Sequence, residues 1–363
     1  ATMIAAAMIA AAMMTEAMMM EVMMTAMLMR EATAMIMTQD YDTEYKLLHE
    51  KHTLSKYFNI TPFVVIDKNS QMPVARCMLT YYPEDDVAYF GFFECIGQQE
   101  IAEQLLDTVS KKAKKDGKTK LSGPVDASFW IKYRLKINLF DRIPYTGEPY
   151  NKNYYYKLLS DCGFVVQNHY TSNIYPIIDM DYYNEKFEKR YEQFLNKGYE
   201  IKSPAKKNYP YIMEKVYELI MDLYSDFPAF KYIEKEDFMD IFGSYKYILD
   251  YDMVKIAFYK EEVVGFFISV PNYANLPYKL NVRNFFKILQ IKNRPDEYVM
   301  LYMGVDRRHL GLGNALSNVI TMELKNKHVP SIGALVRDGK ITQSYASELI
   351  RDRYEYVLLE KKL

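Results

Sequence analysis

Cysteine is scarce: three residues in 363, Cys77, Cys95 and Cys162. All three sit among apolar neighbours and none has the spacing of a metal site. That weighs against a disulfide framework or a metal centre and leads one to expect buried thiols in a reducing cytosol. Charge of either sign is not in excess. The 46 basic and 47 acidic residues leave a net charge of −1, so there is no global basic field of the kind general nucleic-acid binding needs. No basic residue precedes Arg30, so the positively charged start of a signal peptide is missing, and Glu16 and Glu21 interrupt the early apolar run, which weighs against a membrane span. The expectations are a cytoplasmic protein with no membrane partner and no metal. Two nucleotide-binding motifs are missing as well. A Walker loop would end in Gly-Lys-Ser/Thr, whereas the glycine turn at 311–313 ends Gly313-Asn314-Ala315. A dinucleotide fingerprint would need a third glycine and an acidic residue after a second strand.

What is present is half apolar residues, enough for sizeable cores, and 34 tyrosines spread along the chain. The tyrosines read mainly as amphipathic core and rim residues. The length suggests two domains. Residues 1–38 stand apart, with 13 of the 23 methionines and 11 alanines. Both residues favour helix, yet the segment lacks a clean amphipathic stripe. It either precedes or opens the first domain, and it supports no functional reading.

The sequence points at a ligand in one place. The apolar run Tyr298 to Val305 reads as a strand and ends in a turn carrying Arg308-x-x-Gly311-x-Gly313. Leu312, Leu316, Val319, Ile320 and Leu324 then recur at helical spacing. Helix-start amides with no side chain in front of them form an anion cradle, and glycine lets the backbone approach a phosphate closely. The same pattern also fits a tight strand-to-helix turn that binds nothing.

The two halves share an order of elements. In the second, strands are expected at Tyr199–Ser203, Met253–Tyr259, Val263–Val270, Tyr298–Val305, Ser331–Val336 and Tyr354–Leu359, with helices at Tyr211–Tyr224 and Ile341–Ile350. In the first, strands are expected at Phe63–Ile66, Val74–Tyr82, Val87–Cys95, Lys118–Ser122 and Val165–Tyr175. Helices are expected around Ile101–Val109 and over Tyr154–Cys162, the latter stopped by Gly163. The predicted division is a first domain over 39–180, a linker helix over 181–197, which lacks Gly and Ser, and a second domain over 198–363. A basic insertion, with Lys279, Arg283, Lys287, Lys292 and Arg294, precedes the Tyr298 strand. It reads as a solvated loop and helix or as a basic flap near cofactor phosphates.

The Arg308-x-x-Gly311-x-Gly313 turn resembles the acyl-CoA pyrophosphate loop of the GNAT superfamily of N-acetyltransferases. With Phe90-Gly-Phe-Phe-Glu-Cys95, Leu121-Ser-Gly-Pro-Val125 and Gly147-Glu-Pro-Tyr-Asn151, the chain over roughly 60–360 resembles bacterial proteins built of two tandem GNAT domains. The implied fold is α/β (α+β): two tandem GNAT-like domains, each a mixed, largely antiparallel sheet flanked by helices. The first half has Ile96-Gly-Gln-Gln-Glu100 where the loop should be, and Glu100 would set a negative charge near an anion site, so that half is not expected to bind CoA.

The resemblance implies transfer of an acetyl or other acyl group from acyl-CoA to an amine of a small molecule or peptide. Met303, Val305, Arg308, Leu310, Gly311, Leu312, Gly313, Asn314 and Ala315 would hold the co-substrate, and Tyr345 would be the general acid. Tyr133, Arg134, Glu148, Asn151, Tyr154 and Tyr155, near Trp130, gather polar and aromatic groups at Gly and Pro turns and read as a substrate-site rim or a domain-interface plug. Phe227 and Tyr273 would face the acceptor channel by analogy. No general base stands out: Asp306 and His309 flank the loop, His169 and His328 have no partner at recognisable spacing, Glu262 reads as solvated, and a water chain could serve instead. Two other functions remain open, a non-catalytic acyl-CoA or metabolite sensor and a peptidyl transferase using aminoacyl-tRNA.

Overall fold

The computed structural model describes residues 41–274, 276–278 and 281–363. The Met- and Ala-rich segment 1–38 and Lys279 of the basic insertion lie outside the described residues. The chain divides into two compact units. Unit 1 runs to Ile137 and also takes Pro149–Gln167 and Val357–Leu363; unit 2 holds Asn138–Glu148 and Asn168–Tyr356.

Unit 1 opens with α1 (Tyr41–Leu48), followed by an antiparallel meander of β1 (Asn59–Ile66), β2 (Pro73–Tyr81) and β3 (Val87–Cys95). Helix α2 (Gln99–Lys115) crosses over to β4 (Lys120–Gly123), which runs parallel to β3. The two-residue β5 (Leu135–Lys136) and α3 (Tyr155–Asp161) follow. Ala102, Leu105, Leu106, Val109 and Ala113 recur every three or four positions along α2, and all are buried in one cluster with Ala75, Cys77, Leu79, Ala88 and Phe90 of the sheet. Covering that stripe, rather than intrinsic propensity, holds the helix in place. Glu44 of α1 forms an ion pair with Arg76 of β2, and both side chains are buried.

Unit 2 contains most of β6 (Val165–Tyr175), then α4 (Glu185–Asn196), β7 (Tyr199–Lys202), α5 (Tyr209–Leu223), α6 (Lys235–Phe242), β8 (Val254–Tyr259) and β9 (Glu262–Pro271). It continues with α7 (Val282–Asn293), β10 (Tyr298–Val305), α8 (Leu312–Lys327), β11 (Ser331–Arg337) and the first part of β12 (Asp352–Lys362). Its strands are ordered β6-β11-β10-β9-β8-β7. Every neighbouring pair is antiparallel except β10 with β11. Each unit is thus a mixed, largely antiparallel sheet flanked by helices. Leu312, Ala315, Leu316, Ile320 and Leu324 of α8 fill a core with Met253, Ala257, Val264, Phe267 and Tyr298.

Three features differ from the sequence reading. The end of the last strand, Leu359–Lys362, pairs with β4 in unit 1, while β6 finishes the sheet of unit 2 by pairing with β11. Periodicity marks a strand but not its distant partner. Segment 181–197, expected as a linker, contains α4, which is capped by Asn184 and packs along α8 within unit 2, burying Phe187 and Phe194. The helix expected over Ile341–Ile350 is two 3₁₀ turns, Ile341–Ser344 and Ser347–Leu349, separated by Ala346 with φ of 45° in the left-handed region.

Candidate functional site

The site is built on a parallel pair that separates. β10 and β11 are in register only at Tyr298–Ser331, Val299–Ile332 and Met300–Gly333. Beyond Met300, β10 stays on β9 after an irregularity at Leu301, and Met303 to Val305 remain paired with Phe267 to Gly265. β11 stays on β6 but breaks register between Gly333 and Val336, with Leu335 at φ 58° and its N–H donating to Ser172 Oγ at 2.9 Å. Among the described residues, the edge of β10 from Leu301 to Val305 therefore has no strand partner on its β11 side. An unpaired edge offers backbone donors and acceptors to an extended ligand.

That edge leads into the start of α8. Gly311 is the N-cap, with φ of 95°, and no side chain caps the helix. The left-handed conformation is cheap only for glycine, and this helix start carries the positive end of the dipole, with the Leu312 N–H donating to the His309 carbonyl at 3.2 Å and the Asn314 N–H to the Gly311 carbonyl at 3.1 Å. A β-carbon on Gly311 would stand 3.4 Å from the Nε of Arg190 on α4. Arg190 is exposed, hydrogen-bonds Gln193 at 3.2 Å, and has no acidic partner among the described residues. A second cation, Arg308, is turned back: its guanidinium grips Asp306 at 2.6 and 3.1 Å, and this pairing holds the Asp306 carboxyl down to about 2. Leu310 is exposed, while Leu312 and Ala315 are buried in the core. Asn314 is buried too, with an Oδ1 that accepts no hydrogen bond among the described residues. The start of a helix without a side-chain cap, an arginine without an acidic partner among the described residues, an open strand edge and an orphaned buried acceptor thus share one neighbourhood.

Tyr345 reaches the same place. A β-carbon on Gly313 would stand 2.9 Å from the Tyr345 hydroxyl and 3.5 Å from Met303 Cε, so glycine is what makes room for the ring. The hydroxyl has no hydrogen-bond partner among the described residues, and burial pushes it up to about 12. Its ring packs against Phe187 of α4, centroids 5.4 Å apart. Its carbonyl accepts from the Tyr175 hydroxyl at 2.8 Å, and the Gln343 carbonyl accepts from Asn173 Nδ2 at 3.1 Å. Helix α4 and strand β6 thus set a tyrosine that lies on no helix of its own.

Candidate bases are occupied. His309 meets the Tyr199 hydroxyl at 2.6 Å and sits among the rings of Tyr199 and Tyr259. His169 faces Asp338 at 3.0 Å. On the acceptor side, the Tyr224 hydroxyl donates to the Met303 carbonyl at 3.4 Å, and the Phe227 ring lies between Tyr224 and the guanidinium of Arg337, 4.9 and 4.6 Å away. Phe227 therefore belongs to the neighbourhood of the open strand.

The other substrate-side residues have partners within their own units. Tyr273 is fully buried, with its N–H donating to Thr146 and its hydroxyl to the Ile248 carbonyl, so it is a core residue of unit 2 and not a channel wall. Glu148, also in unit 2, is buried and accepts from the Tyr356 hydroxyl at 2.7 Å. Tyr155 lies in the core of unit 1: its ring packs on Phe93, and its hydroxyl donates to Glu94 at 2.6 Å. Tyr154 donates to the Cys95 carbonyl at 3.0 Å. Asn151 ties down the backbone of Lys136. Tyr133 stacks on Phe129, and Arg134 covers its ring at 3.8 Å. These partners use the groups that were expected to meet a substrate.

Sequence reasoning missed Arg190, Phe187, Tyr175 and Asn173. The signal within reach was the three-residue spacing of Phe187 and Arg190, which puts them on one face of α4; what that face meets is set by tertiary packing. Among the described residues, no group of three or more His, Cys, Asp or Glu side chains is arranged to hold a metal ion, and no helix is long and apolar enough to cross a membrane.

No family model and no curated protein matches this sequence. Among solved structures, the chain is similar to a GCN5-related glucosamine N-acetyltransferase region of a fungal multi-domain beta-N-acetylglucosaminidase, at 13% identity and a TM-score of 0.49 over 85% of this chain and 34% of that one. It therefore spans about a third of that relative's length. It is similar to a tandem GNAT protein from the clavulanic acid biosynthesis pathway, at 11% identity and a TM-score of 0.45 over 90% of this chain and 97% of that one. It is also similar to a GCN5-related N-acetyltransferase from Sphaerobacter thermophilus, at 10% identity and a TM-score of 0.45 over 83% of this chain and 80% of that one. These are likenesses of fold, at identities that assign no activity.

Proposed function

We propose that unit 2 is an N-acyltransferase of the GNAT type, moving an acetyl or other acyl group from acyl-CoA to an amine of a small molecule or peptide. The observation that carries this reading is the unpartnered Tyr345 hydroxyl lying against Gly313 in the first turn of an uncapped helix, where β10 and β11 part. In this reading the pyrophosphate sits on the amides at Gly311–Ala315 with Arg190 beside them, and the pantetheine runs along the free edge of β10. The thioester then lies near Met303 and Tyr345.

Attack of the amine nitrogen on the thioester carbonyl forms a C–N bond, breaks the C–S bond and leaves a proton on nitrogen and a charge on sulfur. A tyrosine held near 12 stays protonated at neutral pH. It donates a hydrogen bond to the developing thiolate, and the proton shed by nitrogen ends on sulfur by way of this hydroxyl. The acceptor enters as an ammonium and gives up one proton to water before it attacks, because His309 and Asp306 are committed elsewhere; the proton that reaches sulfur is the second one, shed after the C–N bond forms.

Removing the hydroxyl tests the assignment. Tyr345→Phe is expected to lower turnover about 10²-fold while leaving CoA affinity nearly unchanged. Gly311→Glu is expected to abolish CoA binding by calorimetry, whereas changes at Gly97 in unit 1 leave it intact. Binding that survives Gly311→Glu overturns the reading. Tight CoA binding with no turnover on any amine would favour the sensor.

A further inference from the structure

Helix α7 carries its apolar stripe on the outside. Val282, Phe285, Phe286 and Leu289 follow the i, i+3, i+4, i+7 spacing of one helix face, and they are 75, 49, 64 and 39% exposed. The inward side is Ile288, which is buried, with Asn284 and Ile291 partly covered. The helix is fixed at both ends: Asn281 caps its start by accepting from the Asn284 N–H at 2.9 Å, and Lys292 Nζ donates to the Tyr247 carbonyl at 2.6 Å. Four large apolar side chains are therefore held in solvent by a well-anchored element, the mark of a surface that meets something else.

Charge says what that something is. Residues 281–294 contain Arg283, Lys287, Lys292 and Arg294 and no acidic residue. Arg283, Lys287 and Arg294 are exposed and have no ion-pair partner among the described residues. At 100° per residue Arg283 and Lys287 fall together on one flank of the stripe and Lys292 borders the other, while Arg294 follows the helix as its C-cap. Burial, with the nearby charge of Lys206 adding to it, pushes the Lys292 ammonium below the ordinary lysine range, and only Asp250 opposes. Tyr247, beside Lys246, is also exposed. Two copies of α7 laid stripe to stripe would bring these cations together with no acid in the helix to offset them.

We propose that α7 is a docking helix for an anionic phospholipid surface. Val282, Phe285, Phe286 and Leu289 enter the boundary between headgroups and acyl chains. Arg283, Lys287 and Arg294 lie along the lipid phosphates, their aliphatic stems following the stripe inward. This holds whether or not unit 2 transfers acyl groups, and the contact proposed is peripheral: among the described residues no helix is long and apolar enough to cross a membrane.

The test is co-sedimentation of the full chain with vesicles of phosphatidylcholine alone and of phosphatidylcholine with one third phosphatidylglycerol. The wild type is expected to partition about tenfold or more in favour of the anionic vesicles, and added salt should erase the difference. Phe285→Ser with Phe286→Ser, and separately Arg283→Glu with Lys287→Glu, are each expected to lower partition about tenfold or more with the melting temperature unchanged, since all four side chains point outward. Equal recovery of wild type with both vesicle types, or partition that none of these variants alters, overturns the proposal. So does a wild-type dimer in sedimentation velocity that Phe286→Asp dissociates while vesicles go unbound, which would give the stripe to a second copy. Binding of polyglutamate without binding of anionic vesicles would give it to an acidic protein and would equally overturn it.

Discussion

The Tyr345 hydroxyl oxygen lies 2.9 Å from where a β-carbon would stand on Gly313. That distance is too short for an alanine unless the ring moves, and the ring is backed by Phe187 and its backbone held by Tyr175. Gly313→Ala therefore separates stability from activity. Alanine is the better helix former by up to ~1 kcal/mol, which offsets part of the cost of shifting the ring, so the melting temperature is expected to change little. Displacing the hydroxyl is expected to lower turnover about tenfold or more with little change in CoA affinity. Unchanged turnover would show that the hydroxyl does no work at the thioester.

The parts of this site legible in the sequence were the local ones. β10 was readable from Tyr298 to Val305 because its apolar run is continuous, and the start of α8 from the glycines at 311 and 313 and the spacing of Leu312, Leu316 and Ile320. Chain segments brought together by packing were not legible. Arg190 and Phe187 reach the loop only because α4 lies along α8. Tyr345 was readable as a candidate from its order in the chain, but its setting was not: Ala346 in the left-handed region breaks the expected helix, and hydrogen bonds from β6 replace it. The aromatic and polar cluster at 133–155 misled for the opposite reason. Gly, Pro and Tyr mark loops that meet ligands and loops that tie down a core equally well, and Tyr155, Asn151 and Tyr133 serve the core.

Arg190 is expected to be the principal cation of the anion cradle, because Arg308 is already neutralised by Asp306. Arg190→Ala should weaken CoA binding about five- to fiftyfold and make it less sensitive to salt, since an exposed charge acts through screened attraction. Arg190→Lys should fall between, keeping the charge but losing the fork. Arg308→Ala should cost less than Arg190→Ala. Asp306→Asn should tighten binding, by freeing Arg308 and removing a carboxylate near the phosphates. Calorimetry at two ionic strengths decides: an Arg190→Ala affinity equal to wild type would remove the residue from the site.

Alkaline pH should act on stability before it acts on the acid group. Burial pushes Tyr345 up to about 12; Tyr182, half-buried and hydrogen-bonded to Glu348, and Tyr354, buried near Glu148, also rise to about 12. An unfolded tyrosine ionises near ~10. Between these values the folded chain keeps protons that the unfolded chain releases, so stability falls as pH rises through this window and is unaffected by these groups below it. Denaturant midpoints should be flat from about pH 7 to 9 and decline above about pH 10, with a shallower decline in Tyr345→Phe. Turnover should rise as the acceptor amine loses its proton and show no descending limb from Tyr345 below about pH 10. A descending limb near pH 8 that vanishes in Tyr345→Phe would contradict the assignment of a buried, neutral hydroxyl.

Unit 1 offers a stability test that leaves the site alone. Glu44 and Arg76 pair at the junction of α1 and β2 with their side chains 3 and 1% exposed. Two charges taken out of water attract strongly, but much of that attraction offsets their own desolvation, so the pair as a whole contributes less than either loss removes. Glu44→Ala should strand a buried guanidinium and destabilise by about 3–5 kcal/mol. Arg76→Ala should cost a similar amount through the stranded carboxylate and the space it leaves. Replacing both with Glu44→Leu and Arg76→Met should recover most of the loss, because an apolar pair of similar volume needs no charge compensation. Urea denaturation of the two alanine singles, of the Glu44→Ala/Arg76→Ala double and of the apolar pair measures the coupling. Single losses that simply add in the double variant would show that the two side chains act independently, despite their burial together.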